Sequence, residues 1–109
     1  VIQVFNALIM ALRNTGIPFA EYGWDHSPAA PYGVVAIEGQ GDSVAGDGRI
    51  LHQSLRGSID LFVKSPDTMW MAMVQDAING LVAWRLNSVQ HEEDTNIIHY
   101  EWIFEMEGP

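Results

Sequence analysis

Residues Ile50–Lys64 read ILHQSLRGSIDLFVK, a long alternation of polar and apolar residues near the middle of the chain. Leu51, Leu55, Ile59, Leu61 and Val63 share one face at period two. His52, Ser54, Arg56, Ser58 and Asp60 share the other, with Gln53, Gly57 and Phe62 out of step. This is the pattern of a half-buried antiparallel strand. The segments on either side are expected to pair with this strand or to pack on its apolar face.

Upstream, Gly39–Gly48 (GQGDSVAGDG) is too polar and too glycine-rich for a core. It reads as a flexible loop or a long hairpin tip that reverses the chain into the Ile50 strand. Tyr32–Glu38 (YGVVAIE) is nearly continuous in apolar residues and reads as a strand near the sheet centre. His26–Pro31 holds two prolines, which exclude both a helix and a central strand. Pro18–Asp25 reads as a short strand with Phe19, Tyr22 and Trp24 as candidates for burial. Val1–Asn14 reads as an amphipathic helix. Its stripe is Val1, Phe5, Leu8 and Leu12, widened by Ile2, Ile9 and Ala11, and it ends before Gly16 and Pro18.

Downstream, Ser65-Pro66-Asp67 predicts a helix start, with Ser65 as N-cap, Pro66 at the first helical position and Asp67 against the positive end of the dipole. The helix is predicted to run to about Asn79 and to stop at Gly80, with Trp70, Met73, Val74, Ala77 and Ile78 facing inward. Leu81–His91 and Ile97–Glu107 read as a hairpin joined by Glu92–Asn96. In its second arm Ile98, Tyr100, Trp102, Phe104 and Met106 alternate with His99, Glu101, Glu105 and Glu107, and Ile97 and Ile103 break the pattern. The order α-β-β-β-α-β-β predicts an α+β fold: a single antiparallel sheet with two helices on one face, in one domain spanning residues 1–109.

Composition narrows the function classes. The 109 residues suffice for one core, and 48% are apolar, including four Trp, four Phe and three Tyr. With no Cys, disulfide scaffolds, thiolate metal sites and thiol nucleophiles are excluded, a composition that suits a reducing cytoplasm. No stretch reads as a signal peptide, and no apolar run approaches the ~18 residues of a membrane span. Fourteen acidic against five basic residues give a net charge of −9, which cannot supply the basic surface that tight nucleic-acid binding needs.

Four groups of residues carry side chains of the kind that form sites. His91-Glu92-Glu93-Asp94, with His99 across the turn, holds metal-ligand chemistry, but it meets no recognised spacing, so a solvated acidic turn is by far the better reading. Asp42 and Asp47 lie among glycines without EF-hand or P-loop spacing, so an interaction loop is the better reading. His52, Ser54, Ser58 and Asp60 share a strand face, yet side chains on one strand project in parallel and do not converge as a triad requires. Met69 and Met71 fall off the inner stripe of their helix, which reads equally as a contact surface or as a helix buried on more than one side. The apolar exceptions Phe62, Ile97 and Ile103 on the polar sheet face point to cover by other copies of the chain or by a second sheet. No catalytic residue, metal ligand or cofactor site is assigned.

Taken together, the chain resembles the small tail-completion, or tail-terminator, proteins of long-tailed bacteriophages and prophages. The resemblance covers most of the chain. It rests on the N-terminal helix, Ala30-Pro31-Tyr32-Gly33 entering a strand, and the Gly/Asp-rich segment Gly41–Asp47. It continues through Ser58–Val63 closing the long strand, the helix after Ser65-Pro66-Asp67, and the closing strand His99–Met106. Phe62 stands where family members often carry Tyr. The resemblance implies a non-enzymatic virion protein of the tail or neck, assembled in the bacterial cytoplasm, that forms a hexameric ring. Its partners would be other copies of itself, the tail tube protein and the head–tail connector proteins, with no cofactor and no membrane. DNA would pass through without sequence-specific binding. Gly41, Asp42, Ser43, Val44, Asp47, Met69, Met71, Glu92, Glu93 and Asp94 are the expected contact residues. A head–tail connector or other minor capsid or tail component is the alternative, and a metal-binding module or small enzyme built on His91–Asp94 a more distant one.

Overall fold

The computed structural model describes residues 2–41, 44–46, 49–64 and 68–108. In chain order the elements are α1 (Ile2–Arg13), β1 (Phe19–Glu21), β2 (Tyr32–Gln40), β3 (Val44–Gly46), β4 (Arg49–Val63), α2 (Met69–Ile78), β5 (Ala83–Glu92) and β6 (Ile97–Gly108). The sheet runs β1-β2-β4-β6-β5, with β3 paired only to the start of β4. The α+β class and the element order expected from the sequence are those observed, with β3 as an added short strand. The proposed start of α2 at Ser65, Pro66 and Asp67 lies outside the described residues, as does Val1.

The expectation of a wholly antiparallel sheet needs correction. β1 runs parallel to β2, with Phe19 opposite Gly33 and Glu21 opposite Val35. Between them, residues 22–31 carry the chain back to re-enter in the same direction, as parallel neighbours require. Tyr22, at φ 68°, donates its N–H to the Val35 carbonyl, and the Trp24 indole donates to that of Gly33. Tyr22 therefore points outward and is exposed, against the burial expected for it. Gly33 has a steric reason: a Cβ there would come within 2.1 Å of the Phe19 ring, which covers it.

β4 is the centre of the fold, paired antiparallel with β2 on one side and β6 on the other. Its inner face carries Ile59, Leu61 and Val63, in register with Trp102, Tyr100 and Ile98 of β6. Gly57 leaves room on that face for the Phe104 ring, which a Cβ would meet at 2.5 Å. Both helices cover this side. Phe5, Leu8, Ile9 and Leu12 of α1 and Val74 and Ile78 of α2 join Val35, Trp102, Phe104 and Met106 in one core. Each such side chain contributes about 1.5–3 kcal/mol by leaving water. Trp102 meets its polar requirement by donating to Gln75 Oε1 at 3.2 Å.

The helix stripes differ from expectation in detail. Ile2 is exposed rather than buried. On α2, Met71 packs against the core together with Val74 and Ile78, the three- and four-residue spacing of one helix face, while Met73 is only half-buried. Met69 is exposed, as expected.

Fifteen residues of β4 at about 3.3 Å each span about 50 Å, which matches the long dimension of the 52 × 26 × 25 Å molecule. Among the described residues, 49–52 pair with β3 alone, because the ladder to β6 begins at Gln53 opposite Gly108. The described part of the glycine-rich segment, Val44–Gly46, thus forms a hairpin ladder with the start of β4 beyond the layered core, in line with the second of its two expected readings.

Candidate functional site

The helices leave the other face of the sheet uncovered, and its polar chemistry is organised by cross-strand register. Tyr32, Phe62 and His99 are direct neighbours on β2, β4 and β6. Tyr32 and Phe62 stack at 4.8 Å between centroids, and Phe62 and His99 at 4.3 Å. Diagonal to His99, Asp60 Oδ1 lies 2.6 Å from His99 Nε2, and Ser58 Oγ donates to Asp60 Oδ2 at 3.5 Å. The hydrogen bond to Asp60 raises the His99 pKa above the ordinary imidazole value of 6.5; burial opposes this, and the charges of Asp60, Glu101 and Glu92 reinforce it.

Further along, Arg85 donates to Asn87 Oδ1 and Asn87 Nδ2 donates to Glu101 Oε1, both at 2.7 Å. Asn87 is the extra residue of a bulge between Leu86 and Ser88. Adjoining this network, Arg56, Ala83, Arg85, Ile103 and Glu105, together with the intervening Trp84 and Phe104, line an open concavity of about 330 Å³. Phe62, Ile97 and Ile103, the apolar exceptions noted in the sequence, are all half-buried.

Of the expected contact residues, Glu92, Glu93 and Asp94 are brought together at the exposed β5–β6 turn. Thr95 Oγ1 donates to Glu92 Oε2 at 3.2 Å, and Asn96 adopts φ 57°. Gly41 donates its N–H to the Ser54 carbonyl at the opposite end of the sheet, and Val44 opens β3 opposite His52. Asp42, Ser43 and Asp47 lie outside the described residues. Met69 and Met71 sit on α2, so the expected contacts form separate patches rather than one site.

The His91–His99 pairing imagined for a metal does not form. Register puts His91 beside Ile98 on the helix side of the sheet and His99 on the opposite face. His91 Nε2 instead lies 3.0 Å from Asn96 Oδ1. Among the described residues, no group of three or more His, Asp or Glu is arranged to hold a metal ion. Likewise Asp60, considered with His52, Ser54 and Ser58 for a triad, is engaged by His99.

Sequence reasoning missed the His99–Asp60 pair and the Arg56–Arg85 concavity. Both arise across strands between residues distant in the chain, and only the register could have revealed them. Comparison with protein-family models finds no match, and comparison with curated protein sequences finds none.

Proposed function

We propose that the chain is a non-enzymatic, self-associating structural protein of the kind its sequence resembles. In this reading it is a tail-completion component of a long-tailed phage or prophage virion, forming a ring that caps the tail tube and joins it to the head. The supporting observation is the reach of β4. Among the described residues, its first ones pair only with β3, forming an arm beyond the core that a neighbouring subunit or the tube can grip. A rigid helix-on-sheet body with a hairpin arm suits a ring subunit, and −9 per chain suits a ring through which DNA slides. Among the described residues, no helix is long and apolar enough to cross a membrane.

Light scattering over a wide concentration range tests this reading, repeated with tail tube protein present. The expected result is a closed assembly near six times 12.1 kDa, alone or on addition of the tube. A plain dimer under both conditions would overturn it.

A further inference from the structure

Self-association of a chain with fourteen acidic and five basic residues is opposed by its own charge, and a contact that sets its few cations against acidic groups offsets that repulsion. Two of those five, Arg56 and Arg85, line the same concavity. Both are exposed. Arg85 is oriented by Asn87, and its other N–H donors remain available among the described residues. Glu105 shares the concavity, leaving it net positive by one charge, and Ile103 and Ala83 supply apolar surface.

At the other end of the same hairpin stands the turn Glu92-Glu93-Asp94, three exposed carboxylates held by the Thr95–Glu92 hydrogen bond and the His91–Asn96 contact. Ala83 pairs with Glu105, and Glu92 with Ile97, so eight residues of β6 separate the two patches, roughly 27 Å.

We propose that the acidic turn of one copy docks in the Arg56–Arg85 concavity of the next. The inference rests on the self-association proposed above and names the surfaces that carry it. The two patches differ and lie at opposite ends of one element, so the contact is head-to-tail. Repeated, it generates a ring when the rotation closes and a filament when it does not. Arg56 and Arg85 give charge-assisted hydrogen bonds to carboxylates, and the turn is already shaped to present them.

A charge swap tests the contact by sedimentation velocity, with thermal unfolding of each variant to confirm folding. R56E/R85E alone and E92K/E93K/D94K alone are expected to weaken association at least about a hundredfold, because each sets like charges against each other. Mixed in equal amounts, the two variants restore assembly, since every turn again meets a site of opposite sign. The milder E93Q/D94N, confined to the exposed turn, is expected to weaken association about tenfold and covers any folding failure of the reversals. If the wild type assembles and the variants assemble equally well, the docking contact is overturned while self-association stands. If the wild type stays monomeric at every concentration and with tube protein present, both are overturned.

Discussion

Asp60 and His99 couple two central strands through a 2.6 Å contact, and the Phe62 ring stacks on the imidazole beside it. A protonated imidazole is the form that both the carboxylate and the aromatic face favour. Because the folded-state pKa of His99 is raised, its stabilisation is fully present below the unfolded value of about 6.5. That stabilisation is lost as pH rises through the higher folded value. Asp60→Asn is therefore expected to cost about 1.5 kcal/mol near pH 6 and less near pH 9, measured by urea unfolding at both. Equal losses at the two pH values would show that the charged imidazole is not involved. Gly57 makes a steric prediction of a different kind. A Cβ would lie 2.1 Å from the Ala36 carbonyl oxygen and 2.5 Å from the Phe104 ring, and the backbone atom cannot step aside. Gly57→Ala is expected to destabilise by about 3 kcal/mol in the same assay; a loss below about 0.5 kcal/mol would show that the strands separate more easily than the packing implies.

At the scale of elements, β4 and β6 are paired on both sides and buried under the helices, whereas β5 is an edge strand. Leu86 and Val89 remain exposed on its helix side, and the bulge at Asn87 interrupts its ladder to β6. Edge strands with free backbone groups invite pairing, and a bulge is one way to blunt them. In the monomer, amides of β5 that face away from β6 are expected to exchange with solvent at least about a hundredfold faster than those of central β4. Protection of these amides equal to that of β4 would mean that another chain covers the edge. The legibility of the elements follows the same division. α1, α2 and β6 were readable because their apolar periodicity reflects burial on one face, whereas β5, exposed along most of its length, was placed by the polar turn that joins it to β6. The parallel pairing of β1 was not readable, because a three-residue strand carries no periodicity and its direction depends on where residues 22–31 return the chain.

For the whole molecule, the arm is the feature to alter. The Gly41 N–H donates to the Ser54 carbonyl, so a hairpin closed there by a short Asn-Gly turn keeps the ladder of the core intact. A chain shortened in this way, with Gly41 leading through that turn to Ser54, is expected to unfold in one cooperative transition close to the parent's. It is also expected to lose assembly in light scattering. Assembly at parental strength would remove the arm from the proposed function. Loss of cooperative unfolding would show instead that the arm belongs to the core.

The α+β class, the element order and the central strand are legible in the residues alone, because burial on one face writes period 2 or 3.6 into the residues that make it. So is the polar turn of Glu92, Glu93 and Asp94, since such a cluster has no place in a core. The remaining relations arise in the folded chain. Register put His91 and His99 on opposite faces, joined His99 to Asp60 thirty-nine residues away, and brought Arg56 and Arg85 to one concavity. These relations depend on which strands become neighbours and in what alignment, and no local pattern records that.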